Sequence, residues 1–151
     1  MRSTPLRNAF LALAFAVLFA ASAGAEVLSY KAALTGKDEV PPNDSKGTGA
    51  VRAKLDTVTM KLTWTVKYEG LSGPATAAHF HGPAKPGENA GPIITLSAPL
   101  TSPITGEATL TKEQADGLAK GLWYLNVHTA AHQSGEIRGQ LMRKESKPKK
   151  K

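Results

Sequence analysis

The sequence predicts an all-β fold, a two-sheet antiparallel β-sandwich with one short helix. The strongest observation is the strict alternation of apolar and polar residues over residues 58–68, VTMKLTWTVKY, which is typical of a half-buried strand. Turns that contain glycine and proline separate further short alternating segments. The length that remains between the two terminal segments, about 120 residues, suits one domain with a single core.

Each predicted element follows from its own pattern. In residues 58–68, Trp64 is the largest of six apolar residues on one face. A capping box formed by Thr111 and Gln114, followed by Gly121, predicts a short helix. About eight strands and this helix favour two packed antiparallel sheets. Besides 58–68, the predicted strands are 28–34, 49–55, 76–81, 92–96, 106–110, 122–128 and 136–142.

The first 25 residues are predicted to be a signal peptide. Arg2 and Arg7 precede an apolar run at 9–20 that is short for a bilayer span, and the A-x-A sequence at 23–25 suits signal peptidase. A retained membrane anchor is the alternative, but no charged stop-transfer flank follows the run. We therefore expect a secreted or periplasmic protein that begins at Glu26, with no transmembrane segment after processing.

The charge lies mainly at the ends of the chain. The formal net charge is +7, and the leader accounts for two of these charges. The last nine residues, RKESKPKKK, hold six Lys or Arg and one Glu, which leaves residues 26–142 formally neutral. Because a nucleic-acid-binding fold should carry its basic residues on a folded face, we expect no nucleic-acid partner. Residues 143–151 are predicted to be a disordered basic tail that solubilises the protein or contacts anionic surfaces weakly.

The chain contains no cysteine. Disulfide bonds, thiol chemistry and thiolate metal sites are therefore excluded. We therefore expect this exported domain to fold without disulfide bonds.

Five segments resemble the CHRD domain, a family named after chordin: EVPP at 39–42, AHFHGPA at 78–84, TKEQADGLAKG at 111–121, YLNVHT at 124–129 and GEIRGQL at 135–141. The resemblance covers residues 27–142 in the order of the family. It implies a secreted domain with no settled biochemical activity. In chordin the domain belongs to an extracellular protein that binds growth factors. This chain lacks the cysteine-rich modules of that protein, so we do not carry the activity over.

The histidine pair in AHFHGPA is the main candidate site. Alternation places His79 and His81 on the face opposite Phe80, whose side chain belongs in the core. In the later segment LWYLNVHT, His128 lies opposite the apolar set Trp123, Leu125 and Val127. If the two segments are neighbouring strands, directly opposed Cβ atoms lie about 5 Å apart and alternate residues about 6.6 Å apart. Three imidazoles at this spacing could share a metal with bonds of about 2.0–2.1 Å.

A fourth histidine, His132, follows His128 by four residues and is a candidate fourth ligand. An all-nitrogen set without thiolate suits copper(II) or zinc. The pattern is similar to the copper site of copper–zinc superoxide dismutase, on an immunoglobulin-like sandwich, and the similarity reaches only His79, His81 and His128. The bridging histidine, the zinc-loop aspartate and the disulfide of that family have no counterpart here. The alternative is structural: the histidines hydrogen-bond to the backbone of the Gly/Pro-rich loop after His81.

Other polar residues carry weaker signals. Glu136 and Arg138 alternate on GEIRGQL, which suits either orientation of a ligand or a surface ion pair. Asp38 and Glu39 lie beside Pro41 and Pro42 in a predicted loop, where they are expected to be solvated or to form a turn. Ser134 lies near His132 but has no nucleophile-elbow motif. The sequence thus contains no signature of catalysis.

Two functional hypotheses follow. The first is an exported CHRD-domain protein that acts as a non-catalytic binding or structural module for an unknown extracytoplasmic ligand. The second is a copper- or zinc-binding metalloprotein with a histidine site on the outer face, with superoxide dismutase-like chemistry as one version of it.

Overall fold

The structure is a computed structural model that describes residues 26–145. The predicted signal peptide, residues 1–25, and residues 146–151 of the predicted tail lie outside this range. Within it the chain forms nine strands, one α-helix and one 3-10 turn. In chain order they are β1 (Val27–Thr35), the 3-10 turn (Gly36–Asp38), β2 (Thr48–Asp56), β3 (Lys61–Glu69), β4 (Ala75–His81), β5 (Pro92–Thr95), β6 (Ile104–Thr109), α1 (Lys112–Ala119), β7 (Tyr124–Thr129), β8 (Ile137–Gln140) and β9 (Met142–Arg143).

The strands form one antiparallel sheet that curls into a nearly closed barrel. Their order is β5-β4-β7-β8-β1-β2-β3-β6, and β9 pairs with β1. The predicted all-β antiparallel fold with one short helix is confirmed. The predicted division into two sheets is not confirmed. One half of the sheet contains β5, β4, β7 and β8, and the other contains β1, β2, β3 and β6; the two halves are joined where Arg138 of β8 pairs with Thr35 of β1. Alternation along a strand defines its two faces but says nothing about which strand edges meet.

Apolar side chains from both halves of the sheet fill the barrel. The Trp64 ring on β3 packs edge-to-face on the Phe80 ring of β4 with centroids 5.2 Å apart, and Phe80 lies 6.0 Å from Trp123. Both Trp64 and Phe80 are buried, which confirms the inward faces predicted for β3 and β4. Other fully buried apolar side chains are Leu34, Val51, Leu62, Val66, Leu118, Leu125, Ile137 and Leu141.

The long predicted strand at 58–68 begins later than expected. The Asp56 carboxylate accepts hydrogen bonds from the backbone N–H groups of Val58 and Thr59, at 2.9 and 2.8 Å. These bonds close a turn, and Met60 then adopts a left-handed φ of 57°. Val58 is therefore 65% exposed, although it continues the apolar alternation. An Asx-type turn has overridden the strand pattern at this end.

The predicted helix is confirmed as α1. The Thr111 hydroxyl accepts the Gln114 N–H at 3.2 Å, and the Gln114 side chain accepts the Thr111 N–H at 2.9 Å. Ala115 and Leu118 face the core, and Gly121 follows with a φ of 70°. No helix within residues 26–145 is long and apolar enough to cross a bilayer.

The predicted start of the tail at residue 143 is wrong, because the ordered chain continues past Met142. Arg143 lies in β9 opposite Tyr30, and its guanidinium is 2.9 Å from the Glu26 carboxylate. The Lys144 N–H donates to the Ser29 carbonyl at 2.8 Å. Arg143 and Lys144, which the sequence pattern assigned to the tail, thus pair with the edge of β1.

We predict that Gly139→Ala destabilises the fold, because a Cβ at Gly139 would overlap the Ala33 carbonyl of β1, where β8 joins the two halves. The free energy of unfolding should fall by about 3 kcal/mol in urea denaturation. Gly73 is the matched control, since a Cβ there meets no atom within 4 Å, and Gly73→Ala should change stability by less than about 0.5 kcal/mol. Equal stability of the two variants would contradict the close approach of β8 and β1.

Candidate metal centre

Strands β4 and β7 are neighbours, as the histidine hypothesis required. Ala77 pairs with His128, and His79 pairs with Asn126. Because Phe80 is buried in the barrel, the residues on either side of it, His79 and His81, point to the outer side of the sheet.

Three of the four predicted histidines come together there. One ring nitrogen from each of His79, His81 and His128 lies within 4.8 Å of the others. Nδ1 of His79 is 3.1 Å from Nε2 of His128. His132 does not belong to this group; it lies in the turn after β7, where its N–H and carbonyl both hydrogen-bond to Thr129.

Backbone carbonyls hold two of the three rings. Nδ1 of His81 lies 2.9 Å from the Ala90 carbonyl, and Nδ1 of His128 lies 2.8 Å from the Gln133 carbonyl. A carbonyl oxygen only accepts hydrogen bonds, so each Nδ1 carries the proton. In a neutral imidazole, Nε2 of both rings then presents a lone pair.

These two lone pairs face an amide oxygen. Oδ1 of Asn126 lies 2.9 Å from Nε2 of His81 and 3.0 Å from Nε2 of His128. Atoms bound to one metal at about 2.0–2.1 Å in a tetrahedral arrangement are about 3.4 Å apart. The two contacts to Oδ1 of Asn126 are shorter than this separation, so a bound metal would require the rings and the amide to move apart by a few tenths of an ångström.

The third ring is less constrained. His128 Nε2 has no proton to give, so in the neutral cluster His79 Nδ1 donates to it across 3.1 Å. Nε2 of His79 makes no hydrogen bond within residues 26–145, so the proton can move to that nitrogen. His79 would then offer Nδ1 as a third ligand.

A stack of side chains supports His81 from behind. The His81 ring lies parallel to the Tyr124 ring, with centroids 4.6 Å apart, and the Arg138 guanidinium lies 3.4 Å above the Tyr124 ring. Arg138 also donates to Oδ1 of Asn89 at 2.8 Å and to the Glu88 carbonyl. Tyr124 donates its hydroxyl to the Ala90 carbonyl at 3.1 Å. The loop that holds the His81 ring is thus fixed by Arg138 and Tyr124.

The surface ion pair considered for Glu136 and Arg138 is wrong. Both side chains are buried, at 0% and 2% exposure. The Glu136 carboxylate accepts hydrogen bonds from Ser45, Thr129 and both the N–H and the hydroxyl of Ser72. Burial acts to raise the pKa of Glu136, but these donors together lower it to about 2. Glu136 therefore anchors two loops to the barrel as a stable anion.

The expectation that Glu39 is solvated is also wrong. Glu39 is 5% exposed, and its Oε1 has no hydrogen-bond partner within the described chain. Burial raises the pKa of Glu39 to about 7, against the opposing effects of Arg138, the Val40 N–H and the Asn126 amide. Asn126 thus lies between the imidazoles and a carboxyl group that titrates near neutrality. The sequence pattern could not predict the contact between Glu39 and Asn126, because Glu39 is far from β7 in the sequence.

The environment of the rings favours their neutral form. The pKa of His79 is lowered by burial and then by the nearby His128 and His81 rings. Burial also lowers the pKa of His81, although its hydrogen bonds to Ala90 and Asn126 act in the opposite direction. Neutral imidazole is the form that binds metals.

Comparison with known proteins identifies one family. The sequence model of the CHRD domain matches residues 30–141, which is most of the chain and nearly the whole described barrel. No curated protein and no solved structure gives a significant match. The resemblance drawn from the five sequence segments is confirmed.

We predict that Glu39→Gln changes the pH dependence of stability. The folded state raises the pKa of Glu39 from 4.5 to about 7, so the native protein binds the extra proton between these values. Stability from this group is present below about pH 4.5 and is lost as the pH rises through 7. Relative to the wild type, Glu39→Gln should gain stability as the pH rises from 5 to 8, by at most about 3 kcal/mol.

The measurement is urea denaturation of metal-free protein at both pH values. Glu69→Gln is the control, because Glu69 is exposed at the end of β3, and its effect should not depend on pH. A constant difference between Glu39→Gln and the wild type would show that Glu39 titrates normally.

Proposed function

This chain belongs to the CHRD domain family, and we propose that it is an exported, non-catalytic member that binds copper or zinc through His79, His81 and His128. Export is proposed from the leader-like features of residues 1–25. The metal is proposed from the arrangement of the three imidazoles.

One observation carries the metal proposal: a ring nitrogen from each of three histidines lies within 4.8 Å of the others, and the Nε2 lone pair of His81 faces an acceptor oxygen in place of a hydrogen-bond donor. His81 and His128 commit their Nδ1 protons to carbonyls, and their Nε2 atoms both face Oδ1 of Asn126. Histidine ligands usually donate their second ring N–H to a carbonyl or carboxylate, which fixes the ring and the tautomer. The supports that a metal site requires are thus present around the rings.

The donor set limits the metal. Imidazole suits zinc and copper, and no thiolate is available to favour softer ions. His81 and His128 would bind through Nε2 and His79 through Nδ1. Bound copper would supply one-electron redox chemistry, whereas bound zinc would supply Lewis acidity or structural cross-linking.

A structural role is the second candidate, and the hydrogen bond from His81 to Ala90 favours it. In that case His81 ties β4 to the loop after it, as a turn-stabilising side chain would. This role accounts for the Nδ1 atoms of His81 and His128. It gives no reason for the Nε2 atoms of both rings to face the same acceptor, Oδ1 of Asn126.

We predict that His79→Ala, His81→Ala and His128→Ala each weaken copper(II) or zinc binding about tenfold or more, because three ligands leave none to spare. Calorimetric titration of each metal into the purified protein measures the affinity. His132→Ala is the matched control, since His132 lies outside the cluster, and its affinity should equal that of the wild type. Equal affinity in all four variants would rule out the shared site and favour the structural role.

We predict that metal binding weakens on acidification, because protonated imidazole is no ligand. Burial lowers the pKa of His79 and of His81 below 6.5, so protons compete at these two rings only at lower pH than for an exposed histidine. Affinity should stay constant from pH 8 to 7 and fall below pH 6.5. Titrations at half-unit intervals test this, and a decline complete above pH 7 would contradict it.

A further inference from the structure

We propose that the outer face of β1, β2 and β3 binds an extended anionic polysaccharide that carries carboxylate or sulfate groups. We call this surface the basic face and define it by Lys31, Arg52, Lys54 and Lys67. It lies on strands other than those of the histidine cluster, so the proposal does not depend on metal binding.

Strand register places the four cations together. On the three strands, the four cations occupy positions that alternate with the buried residues. Their side chains therefore point outward and are exposed. Lys31 is directly opposite Arg52 in the β1–β2 pair, and Lys54 lies two residues beyond Arg52 on the same side. Lys67 lies on β3 opposite Ala50.

None of the four cations that define the basic face forms an ion pair within the described chain. Lys61, which also points outward on β3, pairs with Glu107 of β6, and the other two ion pairs of residues 26–145 join Lys112 to Asp116 and Arg143 to Glu26. Like charges directly opposite each other in a sheet are destabilising, as for Lys31 and Arg52. An anionic partner would remove this repulsion.

The shape of the face favours a chain-like partner. A groove of about 640 Å³ runs over β2 and β3, and its lining includes Arg52, Lys54, Lys67 and the short side chains of Ala50, Thr63 and Thr65. The small residues leave a floor between the longer cations. Threonine hydroxyls both donate and accept hydrogen bonds, as sugar hydroxyls do, while Arg and Lys bind carboxylate and sulfate oxygens.

Other polyanions fit this face less well. Binding of single-stranded nucleic acid relies on exposed aromatic rings for base stacking. On these strands Tyr30 and Trp64 are buried toward the core, and Tyr68 is half-buried with its hydroxyl donated to the Leu100 carbonyl. A bilayer presents a broad surface of headgroups, whereas this groove is concave. An extended polysaccharide matches both the hydroxyl-lined floor and the flanking cations.

The test uses the full chain and two soluble probes, heparin for sulfate and polygalacturonate for carboxylate, with affinities from calorimetry at low and physiological salt. Arg52→Glu/Lys54→Glu should weaken binding of at least one probe about tenfold or more, since affinity for polyanions depends on the number of ion contacts. The control Lys37→Glu/Lys120→Glu makes the same change in net charge at exposed positions outside the three strands and should change affinity less than about twofold.

The outcomes separate the basic face from the basic tail and from lipid. Equal loss in both double variants would show attraction by net charge alone and overturn the proposal. Deletion of residues 146–151 should leave most of the affinity for the polysaccharides. If the deletion abolishes binding, the tail and not the basic face is the binding site. Tighter binding to phosphatidylserine vesicles than to either polysaccharide, with the same sensitivity to Arg52→Glu/Lys54→Glu, would assign the face to membranes. Unchanged circular dichroism spectra and an unchanged midpoint of urea denaturation would confirm that the variants are folded.

Discussion

The contact of Phe80 with Trp64 and Trp123 determines the orientation of the strands around the candidate site. Trp64 belongs to one half of the sheet and Phe80 to the other, so their edge-to-face packing at 5.2 Å closes the barrel across its interior. Once Phe80 faces inward, the period of two residues turns His79 and His81 outward. A shift of β4 by one residue would bury both imidazoles and expose the phenyl ring, at a cost of several kcal/mol in lost apolar burial and desolvated polar groups. The hydrophobic core thus orients the polar site without contributing an atom to it.

The polar groups behind the imidazoles form an unusual environment for a small barrel. Arg138 is buried without an ion pair within the described residues, and its compensation comes from Asn89, the Glu88 carbonyl and the Tyr124 ring. Glu39, nearby, is held close to its neutral form by burial. Buried groups of this kind cost free energy unless hydrogen bonds replace their hydration, and here those bonds also fix the loop that contacts His81. These groups thus hold the His81 ring in a fixed orientation, as the supporting partners of a metal-binding histidine do.

The two proposed surfaces divide the barrel between them. The half built from β4 and β7 carries aromatic and imidazole rings supported by neutral or internally compensated groups. The half built from β1, β2 and β3 carries exposed cations on a floor of small side chains. A formally neutral body can therefore present a local positive field, because field strength depends on where charges lie and not on their sum. Under the two proposals, the domain would hold a metal ion while it is attached to an anionic polysaccharide.

The sequence by itself determined what depends on neighbouring residues: the inward faces of β3 and β4, the capping box of α1, and the outward direction of His79, His81 and His128. These follow from alternation and from local hydrogen bonds, whose physics extends over a few residues. Tertiary structure decided which strand edges meet, and so made one curled sheet in place of two. It also placed Asn126 among the imidazoles, left His132 outside them, and buried Glu39, Glu136 and Arg138. These outcomes depend on pairing between residues distant in the chain and on the desolvation that such pairing imposes, and neither quantity is encoded in a local pattern.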